Sequence, residues 1–471
     1  MSAQLGLRRA ALVFVLAISA CEPITVNPAP PVTIYQPAWE TSSTWALGPA
    51  SGGLLVIGYN DFGGPTLHGW STSTDGGQTW VRCNAGLVGC GGPGMPVPFA
   101  KGLLGSLDQA AWAGDPAMAG SFYDPGVVVA SNIAVSTAAV GSGVADGVVV
   151  SLSFDGGQTF VSSQFVNDSN CVGSEDQETL TVDRRLLGTR LWVAWRHRGA
   201  GFFGACVRGG DVDLVGRRVR WLAAPAPLPT APELGFGTGG LIVQAAGSRV
   251  TVVYSNRSSP SVTCETYGVG WRSTTSLDGG RTWSRDRLVH VSLNQQSCIP
   301  DPTSGPVLAT LRNFGFALDV EGHAWVAVPE DGQTAVRIFY SDDDADTWEE
   351  VAQVEPGAAG LVFLPTLAVD DQGRVLLSFR SVEPDGSGAR AWVSANPLGA
   401  ELPGFFLPAS QMQGPIGPIA ALRQHGDYDG IATLPTGALP SGATFFPTWS
   451  RSDGAMGAAS VVDGSLVTVT P

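Results

Sequence analysis

The sequence predicts an all-β fold, and within that class a β-propeller of four-stranded blades. Two repeated elements predict it: an octapeptide that recurs four times, and a strand–turn–strand unit with an aspartate in its turn. No segment shows the sustained 3.6-residue apolar period of a helix. Glycine (62 residues) and proline (33 residues) are abundant beside 14 Trp and 19 Phe. This mixture fits many short strands that are separated by turns and share an apolar core.

The octapeptide has the pattern Ser-x-Asp-x-Gly-x-Thr-Trp, and its copies occupy 73–80, 153–160, 276–283 and, in degenerate form, 341–348. The pattern predicts a tight turn in which Asp accepts backbone N–H groups, Gly takes a positive φ and the aromatic ring packs beneath the hairpin. We therefore interpret four aspartates as turn formers and not as catalytic groups: Asp75, Asp155, Asp278 and Asp343. The octapeptide resembles the Asp-box, or BNR repeat, of sialidases and many other propellers. In that family the Asp-boxes lie on the outer rim, away from the active face.

The second repeat is fullest at 367–379 and recurs at 316–328 and 180–195. Looser versions extend this series of paired short strands along the chain. Counting strand pairs predicts seven blades, or six if the first or last segment only completes a neighbour. The seven candidate blades are 34–100, 115–168, 172–232, 233–300, 306–356, 360–412 and 424–471.

The first twenty residues have the pattern of an export signal. Arg8 and Arg9 precede an apolar run, 10–20, that is too short to span a bilayer. The run ends in Ile-Ser-Ala-Cys, which resembles the lipobox of bacterial lipoproteins and implies removal of residues 1–20 and lipidation of Cys21. Glu22 implies, by the same resemblance, the outer membrane. We expect an exported protein held to the membrane by this lipid alone, on its periplasmic or cell-surface side.

Residues 21–33 are rich in proline, which predicts a semi-extended tether before a propeller at 34–471. Besides Cys21 the chain has six cysteines. In an exported protein they are expected to form disulfides and not a zinc site, since no CxxC spacing occurs. Nearest-neighbour pairing is the choice among fifteen connectivities: Cys83–Cys90, Cys171–Cys206 and Cys264–Cys298.

The formal charge of the chain is −15. Removing the leader with its two arginines makes it −17. Such acidity argues against nucleic acid and anionic membrane surfaces as partners. The expected partner of this monomer is a glycan or a cell-surface protein.

A propeller presents its functional face where the inner strands begin around the central channel. The segments that lead into the predicted blades carry acidic and other polar residues. The candidate catalytic residues are Asp124, Glu178, Asp427 and Tyr428. The candidate binding residues are Glu40, Asp61, Asp176 and Arg312.

The segment 425–431 (HGDYDGI) and the Pro-x-Trp strand at 447–449 resemble the end of exported Asp-box proteins of the sialidase-like superfamily. The resemblance covers about residues 37 to 460 and implies the fold more specifically than the activity. Sialidases clamp the substrate carboxylate with three arginines, a bidentate task that Lys performs poorly. The family marks the first of them with an Arg-Ile-Pro motif before the first Asp-box. No arginine stands between Cys21 and Ser73, which argues against classical sialidase activity.

Three hypotheses remain open at the level of sequence. In the first, the chain is a non-catalytic propeller that binds a glycan or a protein. In the second, it is a glycoside hydrolase or lyase that uses carboxylates on the channel face. In the third hypothesis the same oxygens hold Ca²⁺ as a structural ion. No other cofactor is expected, and a metal site cannot be assigned to particular residues.

Overall fold

The computed structural model is a seven-bladed β-propeller of antiparallel four-stranded blades, which confirms the predicted fold class and the blade number. The structure describes residues 25–35, 38–48, 53–61, 68–84, 110–136, 147–167, 171, 174–183, 188–199, 202–228, 238–257, 266–296, 298–299, 307–308, 313–358, 360–382, 388–413, 429–439, 441–452 and 460–470.

Two short strands, β1 (Thr25–Pro28) and β2 (Val32–Tyr35), precede the blades. Blade 1 consists of β3 (Ala38–Leu47), β4 (Gly53–Asp61), β5 (His68–Ser73) and β6 (Val81–Asn84). Blade 2 consists of β7 (Ala110–Gly120), β8 (Val128–Ser136), β9 (Gly147–Ser153) and β10 (Ser162–Phe165). Blade 3 consists of β11 (Ser174–Val182), β12 (Arg190–Gly199), β13 (Phe202–Asp213), β14 (Arg218–Trp221) and the short β15 (Ala226–Pro227).

Blade 4 consists of β16 (Thr238–Ala246), β17 (Arg249–Arg257), β18 (Thr266–Ser276) and β19 (Arg287–Gln296). A two-stranded ladder, β20 (Cys298–Ile299) with β21 (Val307–Leu308), follows it. Blade 5 consists of β22 (Gly315–Leu318), β23 (Ala324–Pro329), β24 (Val336–Ser341) and β25 (Glu349–Val354). Blade 6 consists of β26 (Leu361–Val369), β27 (Val375–Val382), β28 (Ala389–Asn396), a 3₁₀ turn (Gly399–Glu401) and β29 (Ser410–Gln413).

Blade 7 contains the C-terminal strands β30 (Gly430–Thr433), β31 (Phe445–Ser452), β32 (Ser460–Gly464) and β33 (Val467–Thr470). Its outermost position is filled from the other end of the chain, because β1 pairs with β33 and β2 pairs with β32. The expected tether at 21–33 is therefore corrected: over Thr25–Pro28 and from Val32 onward the chain closes the ring. Its alternating apolar residues, such as the buried Val26 and Ile34, explain why it joins a sheet and does not stay extended in water.

The antiparallel order gives the molecule two distinct faces. In every blade the innermost strand begins at one face, here called the mouth face, and the loop between the second and third strands returns to it. The turns between strands one and two and between strands three and four lie at the opposite face. This opposite face carries the four Asp-box turns and is called the Asp-box face.

The hydrophobic core lies between blades. Seven clusters of buried apolar side chains occur among the described residues, and each joins two neighbouring blades. The second strand of a blade is buried on both faces, as in β27, where all eight residues are buried. This explains its continuous apolar sequence, since both sides of the strand face protein.

Close packing at the centre depends on small residues. An added Cβ at Gly120 of blade 2 would lie 2.1 Å from the carbonyl oxygen of Trp45 in blade 1. At Gly430 of blade 7 it would lie 2.6 Å from the backbone nitrogen of Ser43, again in blade 1. The inner strands therefore approach each other more closely than any side chain would permit.

The Asp-box turns have the contacts expected of turn formers. In the first copy, Asp75 accepts hydrogen bonds from the backbone N–H of Gln78 (3.0 Å) and Thr79 (2.9 Å) and from Thr79 Oγ1 (2.5 Å). Desolvation acts to raise the pKa of Asp75, but the hydrogen bonds from Thr79, Ser73 and Gln78 together lower it to about 2. The carboxylates of Asp155, Asp278 and Asp343 make the same bonds to their own Ser and Thr.

The fourth Asp-box lacks the glycine pair of the other three. Asp344 (φ 66°) and Ala345 (φ 61°) adopt the left-handed conformation that Gly76 and Gly77 occupy in the first copy. The acidic sequence has a structural reason, because Asp344 forms an ion pair with Arg249 of blade 4. Asp346 does the same with Arg287. This turn thus joins blades 4 and 5 by charge at the cost of backbone strain.

One disulfide joins described residues, Cys171 to Cys206, as in the nearest-neighbour pairing. It ties the segment before β11 to the third strand of blade 3, and closure of a 35-residue loop stabilises a fold by about 3–4 kcal/mol in the chain-entropy account. Cys83 is also disulfide-bonded. Cys90 and Cys264 lie outside them too, and the side chain of Cys298 is not described.

We predict that Ala345→Gly stabilises the protein by about 0.5–1 kcal/mol, because glycine takes a positive φ without the Cβ clash. Gly280→Ala at the equivalent position of blade 4 is the contrasting variant. Its φ is 80° and the new Cβ would lie 2.4 Å from Trp192 Cη2, so a loss of about 1–3 kcal/mol is expected. Urea unfolding of both variants measures the two effects, and a destabilised Ala345→Gly would contradict the strain assigned here.

Candidate functional site

The inner strands of all seven blades surround a central channel with a cavity of about 190 Å³. Its wall combines hydroxyl groups with apolar side chains, of which Met118, Phe314 and Phe316 are among the largest. Ligand pockets usually enclose about 300–1,000 Å³, so this channel is too narrow for an oligosaccharide. Recognition of a large ligand would therefore take place at the mouth.

The hydroxyl groups of the wall link neighbouring blades. Ser42 Oγ of blade 1 accepts a hydrogen bond from the backbone N–H of Met118 (2.9 Å) in blade 2. Thr179 Oγ1 of blade 3 accepts one from Val243 N (2.9 Å) in blade 4. Inner strands of adjacent blades belong to different sheets, so side chains satisfy backbone groups that a sheet ladder would otherwise pair. These threonines and serines are structural.

Three inner strands carry a bulge near the mouth with a non-glycine residue at positive φ: Asp115 (54°), Gln177 (52°) and Leu364 (52°). In two blades the amide of this residue is held by an asparagine of the preceding blade. Asn60 Oδ1 accepts from Asp115 N (2.9 Å), and Asn313 Oδ1 accepts from Leu364 N (2.9 Å). Because an apolar residue shares this conformation, the strain belongs to the repeated architecture and does not mark one catalytic residue.

A buried ion pair contributes to the channel wall. Arg380, which is 1 % exposed on β27, donates from Nε to Asp429 Oδ2 (2.7 Å) and from Nη2 to Asp429 Oδ1. Asp429 stands directly before β30 and lines the channel. Burial raises the pKa of Asp429, against the opposing effect of the Arg380 charge. The pair crosses the interface between blades 6 and 7 in a bidentate geometry.

A second polar group lies at the mouth ends of blades 1 and 2. His68 is fully buried and its Nδ1 hydrogen-bonds the side chain of Asn132 in the next blade. Burial lowers the pKa of His68 to about 4, although Asn132 and the Asp61 charge act to raise it. Asp61 is itself buried and pairs with Arg82 Nη2 at 2.8 Å. His68 is therefore neutral at pH 7.

The predicted site residues differ in where they lie and in how much of them the structure describes. Asp61 and Glu178 are buried at the mouth ends of β4 and β11, as the sequence indicated. Glu40 and Asp176 lie in the mouth halves of β3 and β11, but their side chains are not described. Asp427, Tyr428 and Arg312 lie outside the described residues, as does Cys21.

Asp124 is a correction. It does not enter an inner strand but stands in the turn between β7 and β8, at the Asp-box face. There it accepts a hydrogen bond from Thr189 Oγ1 (2.7 Å) in blade 3. The sequence FYDPG resembled a segment leading into a strand, whereas the inner strand had already ended at Gly120. Its contacts are those of a structural turn.

Sequence reasoning missed Arg380, Asp429, His68 and Asn132 as members of the mouth. A charge within the apolar run VLLSFRSV of β27 was a usable signal for Arg380, because a buried arginine requires a partner. The partner could not be found, since Asp427 and Asp429 are equally plausible in sequence.

A further group of possible metal ligands occurs among the described residues, formed by Asp319, Glu321 and His323. It lies in the turn between β22 and β23, at the Asp-box face. Asp319 already accepts the backbone N–H groups of Gly322 (2.6 Å) and His323 (2.8 Å). In blade 6 the same turn places Arg374 where His323 stands and pairs it with Asp370. The group is thus a variant of a repeated structural turn.

We predict that removing one partner of the Arg380–Asp429 pair destabilises the protein far more than removing both. Arg380→Met and Asp429→Leu should each lower the free energy of unfolding by about 3–5 kcal/mol, because the remaining charge is buried without its partner. The double variant should recover most of this loss. Denaturant unfolding of all four proteins gives the coupling energy, and additive losses would contradict the pairing.

We predict a loss of stability below neutral pH that depends on His68. Its folded pKa of about 4 lies below the unfolded value of 6.5, so the unfolded chain binds the extra proton first. Its contribution of about 3 kcal/mol is full above pH 6.5 and is lost as the pH falls towards 4. His68→Gln should flatten this part of the profile in urea unfolding at pH 7 and 4.5. An unchanged pH dependence would show that His68 is not the responsible group.

No family model matches the sequence, and no curated protein matches it. Among solved structures, the chain is similar to a protein of unknown function from Dyadobacter fermentans, at 14 % identity and a TM-score of 0.45, over 94 % of this chain and 99 % of that one. It is also similar to the α-L-arabinofuranosidase of Fusarium graminearum, at 13 % identity and a TM-score of 0.45, over 80 % and 99 % of the two chains. A Hadza microbial sialidase matches at 12 % identity and a TM-score of 0.40, over 88 % and 76 %. These values concern the fold and carry nothing about activity.

Proposed function

We propose that this chain is an exported, lipid-anchored propeller that binds a glycan at the mouth of its channel and lacks classical sialidase activity. The observation that carries the proposal is a ring of planar polar side chains beneath the mouth, with one or more in each blade and nearly all of them buried. These residues are called the mouth ring: Asn60, Asn132, Gln177, Glu178, Asn256, Asn313, Arg380 and Asp429.

The chemistry of the mouth ring favours a hydroxyl-rich ligand. Amide and carboxylate groups each offer two polar atoms in one plane, which suits adjacent hydroxyls of a sugar ring. Most members of the ring are neutral amides, and the arginine is matched by Asp429. The ring therefore favours a neutral glycan over one that carries a carboxylate.

Two arginines near the mouth are not available for a sialic acid clamp. Arg380 is buried, and its Nε and Nη2 both bond Asp429. Arg82 is paired with Asp61. A clamp needs guanidinium groups that face the substrate carboxylate, whereas these two are engaged by carboxylates of the protein.

Export and anchoring are supported by two features. The lipobox-like sequence that ends at Cys21 implies the lipid, and the Cys171–Cys206 disulfide suits an oxidising compartment. None of the helices in the described ranges has the length and hydrophobicity required to cross a bilayer.

The test is a glycan array probed with the mature chain. Neutral glycans should be retained in preference to sialylated ones. Tyr428→Phe, next to Asp429 in the sequence, should weaken retention about threefold to tenfold by removing one hydrogen bond. Tyr123→Phe is the matched control, because it removes the same hydroxyl from an exposed tyrosine at the Asp-box face.

Two outcomes would change the assignment. If no glycan is retained, or if Tyr123→Phe weakens retention as much as Tyr428→Phe, the mouth is not a glycan site. If the retained glycan is cleaved and Glu178→Gln abolishes the cleavage, the chain is a glycoside hydrolase and not a binding module.

A further inference from the structure

The N-terminal strand reaches the propeller at the Asp-box face. In blade 7, β32 and β33 run away from the mouth, and Thr470 of β33 pairs with Thr25 of β1. The chain then runs towards the mouth through β2 and begins the inner strand β3 there. Thr25 therefore marks the point, at the outer edge of blade 7 and at the Asp-box face, where the preceding chain arrives.

The proposed anchor is close to this point in the sequence. Cys21 precedes Thr25 by four residues, and four residues span at most about 14 Å when fully extended. A lipid on Cys21 thus holds the Asp-box side of blade 7 near the bilayer. The mouth, at the other end of the strands, would be directed away from it.

A second feature of the same face lies across the ring. The turn between β13 and β14 in blade 3 exposes Leu214 (47 %) and Val215 (96 %). Three arginines follow within five residues and are also exposed: Arg217, Arg218 and Arg220. We call this segment, 214–220, the blade 3 tip.

The neighbouring turn of blade 4 has the same character. In its Asp-box, Leu277 is 56 % exposed and Arg281 is exposed. The equivalents of Leu277 are Thr74 in blade 1, the half-buried Phe154 in blade 2 and Asp342 in blade 5. Val81, Leu398 and Leu402 are also exposed at this face, so blades 3 and 4 are distinguished by the exposed arginines that stand beside such side chains.

Positive charge is also concentrated in the part of the chain that forms blades 3 and 4. Residues 174–296, which include blades 3 and 4, contain 15 arginines and 10 acidic residues, a formal charge of +5 in a chain of −15. On the blade 3 tip, Asp213 pairs with Arg220 at 2.6 Å and lies 3.7 Å from Arg218, which leaves the tip positive. The acidic turn of blade 5 is partly neutralised by Arg249 and Arg287 of blade 4.

We propose that the tips of blades 3 and 4 contact anionic phospholipid headgroups, so that the propeller rests on its Asp-box face with its mouth directed away from the membrane. Aliphatic side chains beside basic groups are the composition that binds a membrane interface. The inference rests on the proposed lipid anchor, with which the tips form two contacts on opposite sides of the ring. It refines the sequence-based expectation that an acidic chain avoids anionic surfaces, because the acidity is not uniform.

The experiment uses the mature acylated chain in vesicles of phosphatidylethanolamine and phosphatidylglycerol that contain a headgroup-level quencher lipid. An environment-sensitive dye is attached at Val215→Cys on the blade 3 tip, or at Thr334→Cys in the exposed turn between β23 and β24 at the mouth. The parent chain, carried through the same labelling, corrects for native cysteines. The dye at 215 should be quenched several-fold more than the dye at 334.

Replacing the three arginines of the tip with glutamine should reduce contact at 215 about fivefold per arginine. Because Arg218 and Arg220 also pair with Asp213 and Arg217 lies over Phe154, the melting temperature of the variant is measured first and contact is compared at a temperature where parent and variant are both folded. High salt should have the same effect as the replacement. Equal quenching at 215 and 334, or stronger quenching at 334, would overturn the proposed orientation.

The phospholipid contact of the tip and the lipid anchor on Cys21 can be refuted by separate measurements. If soluble polygalacturonate shields the dye at 215 while vesicles leave it unquenched, the tip is a polysaccharide site and the proposal is wrong. If mass spectrometry finds Cys21 without acyl groups, the anchor is refuted, and co-sedimentation of the same chain with phosphatidylglycerol against phosphatidylcholine vesicles tests the tip by itself. Equal co-sedimentation would then refute the tip as well.

Discussion

Each blade buries both faces of its sheet against its two neighbours, and the rest of the structure depends on this packing. The second strand of a blade is buried on both sides, as β27 is, so a single four-stranded sheet cannot remove its apolar surface from water. Seven such sheets bury all their apolar faces only when they close into a ring. The pairing of β1 with β33 and of β2 with β32 supplies the last strand of the last blade, and so joins the two ends of the chain where the ring closes.

The crowding of the inner strands explains most of the polar groups at the centre. Strands of different blades approach closely at positions such as Gly120 and Gly430, but they cannot share a ladder. Hydroxyls such as that of Ser42 and amides such as that of Asn60 therefore accept the unpaired N–H groups. Polar residues at the mouth therefore stabilise the contacts between blades whether or not a ligand binds. The ion pair between Arg380 and Asp429 is the clearest example.

The two faces of the ring have different tasks. The mouth face collects planar polar groups around a narrow channel. The Asp-box face contains tight turns whose repeated aspartates bind their own backbone, which leaves the variable positions of each turn free to differ between blades. Acidic residues in the turn of blade 5 join it to blade 4, whereas aliphatic residues and arginines in the turns of blades 3 and 4 stay exposed.

Local regularities were readable from the sequence because they depend on neighbouring residues. The Asp-box requires Asp, Gly and Thr within one turn, and the blade pattern requires short apolar runs between turns, so the propeller, its seven blades and the Cys171–Cys206 pairing could be predicted. The Asp61 and Glu178 positions also followed from where inner and second strands meet the mouth. Asp124 was misplaced, because the end of the preceding strand is decided by its partner in the sheet and not by its own residues.

Only the tertiary structure decided which distant residues meet. Arg380 and Asp429 are 49 positions apart, His68 and Asn132 are 64 apart, and neither pair has a local signal. The assignment of Thr25–Pro28 to blade 7 required the far end of the chain, 445 residues from Thr25 to Thr470. Sequence by itself determined the repeated unit, because a turn and a strand are set by short-range sterics and hydrogen bonds. The closure of the ring and the mouth at its centre were decided by packing between units, which no single repeat contains.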